Sequence, residues 1–411
     1  MASIGHQREI ARIDPMPAAM AIPVGVPQRA KLLGPTLVAL LICSASISRF
    51  PGIDDYAFVK VGITIAEFGV LFAMYQLRDR SVAIGRWFAF GVAFVILRFF
   101  YGWLIANLQY GVGIGESFQE GRFGIMIMIA PIGYAFYRRA DIRMLNRMIL
   151  AYLAAVILCD MVVYLLFVTS GQLLLAQRSG DRYVLSVLAP LTFIWIKMVI
   201  NNRNGKAPDF SDAGAFLLIL LHIFLFTTSR IEAIFSSAVL SQWLYIRYPT
   251  LRAVIIGGAI ASLVGLLYFQ NLRGGEVAGR DYYLAFYYIR AAFPFGAGLI
   301  SQSIQNSQLS TDSTFLVSDY GLLVLVYHYG LVGLIMALGL LSFWASFLVK
   351  TVAIPGNFFF AAAVLFYLGI VPILDYGSMN GGLVLGAMAA VAGVVGTARA
   401  VAPVSAAVVR N

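Results

Sequence analysis

Charge is scarce in this chain, and so are the residues that build disulfides. Only 12% of the 411 residues are Asp, Glu, Lys or Arg, whereas 61% are hydrophobic, which excludes a water-soluble enzyme built from ordinary domains. The two cysteines, Cys43 and Cys159, lie inside apolar runs, which argues against a disulfide framework or a Cys-based metal centre and leaves them as small core residues. No Walker, Rossmann, HExxH or GxSxG pattern falls where it could act. Nor is there an internal repeat, or a matching pair of Gly/Pro-broken helices in the two halves, the arrangement that marks a secondary transporter. The net charge is +10. In a soluble domain that would suggest nucleic acid, but here the basic residues sit mostly in short loops between apolar spans, where they set orientation, so no nucleic-acid partner is expected.

What the chain has in abundance is apolar runs of membrane length. A bilayer core needs about 20 apolar residues per helix. Runs of about that size, bounded by Arg, Pro, Gly or Asp, occupy approximately 32–49, 56–76, 87–108, 122–137, 148–168, 184–200, 213–228, 231–246, 252–270, 321–347, 358–374 and 382–398. The expected fold is therefore an all-α polytopic integral membrane protein of about twelve transmembrane helices. Residues 1–30 form a tail that does not resemble a signal n-region, and the first run is expected to be retained as a helix. Alternate loops carry the basic clusters, including Arg78, Arg80 and Arg86, and then Arg138, Arg139, Arg143 and Arg147. This places both termini in the cytoplasm. The organisation read from this is a tail at 1–30, helices one to nine over 31–270, a large outer loop at 271–320, helices ten to twelve over 321–398, and a second tail at 399–411.

Several arginines face outward against that preference, and an external anion would explain them. Gln177-Arg178-Ser179-Gly180-Asp181-Arg182 puts two guanidinium forks beside a glycine, a geometry suited to phosphate, although lipid headgroups would also satisfy it. Thr227-Thr228-Ser229-Arg230-Ile231-Glu232 sits at a tight outer junction. If Arg230 opens a helix, its charge and the helix's free N–H groups converge on one place, unless Glu232 neutralises it. Gly279-Arg280-Asp281 leads into Tyr282, Tyr283, Phe286, Tyr287, Tyr288 and Arg290, whose aromatics suit a short helix on the outer interface. The Pro294-Phe295-Gly296-Ala297-Gly298 turn would let backbone approach a substrate closely. Finally, Asp312-Ser313-Thr314 and Ser318-Asp319-Tyr320-Gly321 lead into the tenth span. Asp319 there could accept a proton from a sugar hydroxyl or simply cap the helix.

Three ionisable residues fall near mid-depth: Glu67, Arg98 and Asp160. Such charges are costly unless paired or hydrated. Glu67 and Arg98, on adjacent helices at matching depth, are expected to form an ion pair, structural before anything else. His222 and His328 read as buried, hydrogen-bonded structural histidines.

The Ser229-Arg230 pair, the late outer loop, the Arg…Tyr…Ile…Pro294-Phe295-Gly296-Ala297-Gly298-Leu299 run, and Ser318-Asp319-Tyr320-Gly321 followed by Tyr329-Gly330-Leu331-Val332-Gly333 resemble the O-antigen ligase and polysaccharide polymerase superfamily. The residue-level match covers about 170–185, 227–236 and 279–333. The resemblance implies a type C glycosyltransferase in the bacterial inner membrane, acting at the periplasmic face on undecaprenyl-diphosphate-linked oligosaccharide, with no metal and no cofactor. It implies diphosphate-binding roles for Arg178, Arg230 and Arg280, which Arg182 of the same outer cluster as Arg178 is expected to join, with Arg230 and Arg280 catalytic. Tyr282, Tyr283 and Tyr320 would contact sugar. Where the family's ligases commonly carry a histidine, this chain has Asp319, which favours an exopolysaccharide or O-antigen polymerase and makes Asp319 the candidate base. A ligase moving finished glycan to another acceptor is the alternative within the class; a non-enzymatic transporter or flippase of lipid-linked sugar is the alternative outside it. Besides the bilayer, a chain-length regulator and export proteins are the expected partners.

Overall fold

The computed structural model describes residues 28–49, 57–121, 124, 127–170, 183–227, 229–273, 282–300, 321–370 and 378–408. Each of the twelve apolar runs contains a helix. In chain order these elements are α1 (Gln28–Ser46), β1 (Ile47–Arg49), α2 (Ala57–Leu77), α3 (Gly85–Tyr110), α4 (Ile114–Gly121), α5 (Ile129–Arg139), α6 (Ile142–Ser170), β2 (Val184–Leu185) and α7 (Leu188–Arg203). There follow α8 (Ser211–His222), which runs on as a π-helical turn over Ile223–Thr227, α9 (Arg230–Arg247), α10 (Arg252–Arg273), α11 (Tyr282–Ala292), α12 (Leu322–Thr351), α13 (Asn357–Ile370) and α14 (Ser378–Val408).

Among the described residues, four helices are long and apolar enough to cross a membrane: Phe58–Leu77, Gly85–Tyr110, Ile142–Thr169 and Leu322–Thr351. Their outer faces carry Trp87, Phe90, Leu97, Leu158 and Leu165 in the open, a pattern suited to lipid contact. Others are shorter. α5 has 11 residues, fewer than a crossing needs, so the run expected over 122–137 is not a single spanning α-helix.

Local chemistry sets the ends. The Asp141 carboxylate accepts the Met144 N–H at 2.6 Å and so caps α6. Gly111, at φ 69°, closes α3 by donating its N–H to Asn107 O, the left-handed conformation glycine adopts without penalty. In the core, Gly386 of α14 lies against Gly133 and the Ala130 carbonyl of α5, a close approach of backbones that only small residues permit. Trp195 of α7 stacks on Phe360 of α13, with centroids 3.9 Å apart, and its indole N–H is taken by Asn357. Lys197 of α7 is fully buried and bonded to Asp212 at 2.8 Å and Asp209 at 3.0 Å.

Two features depart from the sequence reading. β1 and β2 form a short antiparallel pair, Ile47 opposite Leu185, and the Ser186 N–H donates to Ser46 O. Neither strand has a hydrophobic pattern long enough to declare itself. Secondly, the tenth run is not one continuous helix. α12 is interrupted at Gly330, whose φ of 55° and ψ of −126° lie outside the helical region.

Candidate functional site

The Thr227–Glu232 junction is described at every position but Thr228, and it begins a helix as expected. Arg230 is the first residue of α9 and Ser229 its N-cap, in extended conformation with no side-chain capping bond. The N–H groups of the first turn are thus not satisfied by Ser229, the condition under which a helix end attracts an anion. Glu232 is turned inward. Its carboxylate accepts the Val187 N–H at 3.1 Å and the Thr227 hydroxyl at 3.5 Å, so it ties α9 to the segment after β2.

Beneath this helix end lies a buried polar group that sequence alone did not assemble. His222, at the end of α8, places Nδ1 2.8 Å from the Asp160 carboxylate of α6 and Nε2 3.1 Å from Leu185 O of β2. Both neighbours are acceptors. His222 therefore bridges α6 and β2 through its two ring nitrogens. The π-helical turn that follows His222 swings Thr227 inward, next to Glu232. Together His222 and Glu232 hold Leu185 and Val187, which follow Arg178–Arg182 in the sequence. The expected structural role of His222 agrees with these bonds. Asp160 was legible as a mid-depth charge; its partner was not, because the two sit 62 positions apart on different helices.

The Pro294–Gly298 turn has a different role from the one expected. Rather than leaving room for substrate, its glycines press on protein backbone. A Cβ on Gly296 would meet His328 O, and one on Gly298 would meet Ala106 N and Gly102 O. The segment threads between α3 and the interrupted α12, with Ala297 N–H donating to Tyr327 O at 2.8 Å, Gly298 N–H to His328 O at 2.9 Å, Leu299 N–H to Gly102 O at 2.9 Å, and Leu331 N–H to Pro294 O at 2.8 Å. These bonds satisfy the backbone groups that the break at Gly330 frees. His328 completes the seam by donating from Nδ1 to Gly298 O at 2.7 Å, in line with its structural reading.

Glu67 and Arg98 are both buried. The Arg98 guanidinium packs against Gly124 and lies 5.5 Å over the Tyr329 ring, which joins α3 to α12. Tyr282 and Tyr283 open α11, the short helix expected in the outer loop; their side chains, and that of Arg230, lie outside the described residues. So do Arg178, Arg182, Arg280, Asp319 and Tyr320 in full. No family model matches the chain, and neither curated proteins nor solved structures provide a match.

Proposed function

We propose that this chain is a membrane glycosyltransferase of the polymerase type, moving a growing glycan from undecaprenyl diphosphate onto a hydroxyl of another lipid-linked repeat. The observation that carries the reading is Arg230 at the first position of α9, behind an N-cap that makes no side-chain capping bond. A charge-bearing side chain and the positive end of a helix then serve one anion. In the reaction the acceptor hydroxyl oxygen attacks the anomeric carbon, the bond from that carbon to the diphosphate oxygen breaks, and undecaprenyl diphosphate leaves. Arg178, Arg182, Arg230 and Arg280 hold the diphosphate and grip it harder as its charge grows, which lowers the barrier. Asp319 takes the hydroxyl proton, and Tyr282, Tyr283 and Tyr320 lie along the sugars. The site faces the periplasm in a twelve-helix bundle with both termini cytoplasmic, and the Glu67–Arg98 ion pair fixes helix packing. The reading is tested by deleting the gene. A polymerase mutant holds single lipid-linked repeats; long lipid-linked chains in the mutant would instead identify a ligase.

A second reading has one observation in its favour. Interrupted helices line the substrate sites of many transporters, and α12 is interrupted at Gly330. A flippase of lipid-linked sugar would move labelled lipid-linked repeat across a vesicle membrane without lengthening it, and would keep that activity in the Arg230→Ala variant.

A further inference from the structure

Away from the outer face, at the opposite end of α2, a cleft of about 670 Å³ opens between α2, the turn leading to α3, the start of α3, and α5. Its walls are apolar, with Phe68, Leu71 and Phe72 from α2, Phe88 from α3 and Ile132 from α5, and Arg78 stands at its mouth. Phe68 and Phe72 are largely exposed, so the cleft faces outward from the bundle, where lipid would lie. From Phe68 to Leu77 the helix rises about 13 Å, close to one leaflet's share of a hydrocarbon core about 30 Å thick. The apolar part therefore matches an acyl chain in depth and the mouth falls at headgroup level.

Basic residues outnumber acids in the turn at the mouth. Arg78 is held over the Tyr75 ring, 3.5 Å from its centroid, and donates from Nη1 to the Tyr75 carbonyl, which leaves further N–H groups of its fork for another acceptor. α3 begins at this mouth, with Ile84 as an N-cap that offers no side-chain bond, and Ile84 and Gly85 line the cleft. Arg80 follows in the same turn and Arg86 is the second residue of α3, and Arg138 and Arg139 act on Asp79, the acid of that turn. We infer that this cleft binds one anionic phospholipid of the leaflet on that side, with the phosphate on Arg78 and the start of α3 and an acyl chain between Phe72 and Phe88. This site is independent of the proposed glycosyl transfer.

The test uses the full chain, purified in detergent, stripped of lipid, and offered phosphatidylglycerol or phosphatidylcholine, with retained lipid counted by native mass spectrometry. Wild type should keep one phosphatidylglycerol per chain at concentrations where phosphatidylcholine is lost. Arg78→Gln should bind phosphatidylglycerol roughly tenfold more weakly, the value of about one charge-assisted contact. Leu71→Trp, which fills the cleft with Arg78 intact, should lose it too, and Ala83→Phe at the exposed rim serves if that variant fails to fold. Arg203→Gln, on a different turn, should bind as wild type does. Equal retention of both lipids by wild type, undiminished binding by Arg78→Gln or by the filled cleft, or occupation by a second copy of the chain would overturn the inference.

Discussion

His222 and Asp160 meet inside the helix bundle with Nδ1 2.8 Å from a carboxylate oxygen, and their side chains are 1% and 11% exposed. Removing one member leaves a buried, unsatisfied partner, a defect that costs about 3 kcal/mol or more in other buried pairs. His222→Ala and Asp160→Ala should each lower the denaturation midpoint in detergent by a comparable amount. The double variant should lose much less than the sum, and full additivity would mean that the two do not interact.

Glu232 tests whether the clamp on β2 matters to the helix end above it. Glu232→Gln retains an acceptor for the Val187 N–H and should cost about 1 kcal/mol, whereas Glu232→Ala strands that N–H and should cost about 2–3 kcal/mol. Melts of the two variants in the same detergent give the comparison. Equal melts would remove the bond to Val187 from the account.

Gly330 and Gly298 have φ of 55° and 75°, and a Cβ on either would strike backbone, Pro294 O in the first case and Gly102 O in the second. Alanine at each should destabilise by more than about 2 kcal/mol, since strain and overlap act together. Gly339, also in α12, has open space around it, so Gly339→Ala should be neutral or stabilising by up to about 1 kcal/mol. Yield of folded protein and its melting temperature separate the three.

Asp79 gives a prediction in pH. Partial burial opposes its ionisation, but the hydroxyl and N–H of Ser81 and the charges of Arg138 and Arg139 outweigh that and hold the carboxyl below its ordinary range. A group depressed in this way adds stability that is complete above its unfolded pKa, about 3.9, and fades as pH falls through the folded value. Wild type should therefore melt higher than Asp79→Asn at pH 7, with the difference shrinking below about pH 4 and in high salt. A constant difference across that range would contradict the assignment.

The sequence was most legible where the physics is local. Apolar runs of membrane length located a helix in every expected place, and α9 starts at Arg230, where the tight junction between two such runs placed it, because run length and the breaks between runs are properties of neighbouring residues. Contacts across the bundle were hidden. Nothing near His222 specifies Asp160, and nothing near Lys197 in α7 specifies a buried ion pair with Asp212. The Pro294–Gly298 turn was misread for the same reason: its glycines do mark close approach of backbone, but sequence cannot say whether a ligand or another helix does the approaching. The arginines proposed to hold diphosphate share no pattern within one helix, so only a tertiary arrangement could bring them together.

Chain growth by purified protein tests the central claim most directly. Wild type and Arg230→Ala, each confirmed as folded, would be reconstituted in vesicles with undecaprenyl-diphosphate-linked repeat, and both glycan length and released undecaprenyl diphosphate would be followed. Wild type should give a ladder of lengthening chains with one lipid diphosphate released per bond formed, and Arg230→Ala should lose at least about a hundredfold in rate, about 3 kcal/mol of transition-state stabilisation. Repeats that stay single with the wild-type protein, or a ladder undiminished by Arg230→Ala, would contradict the central claim.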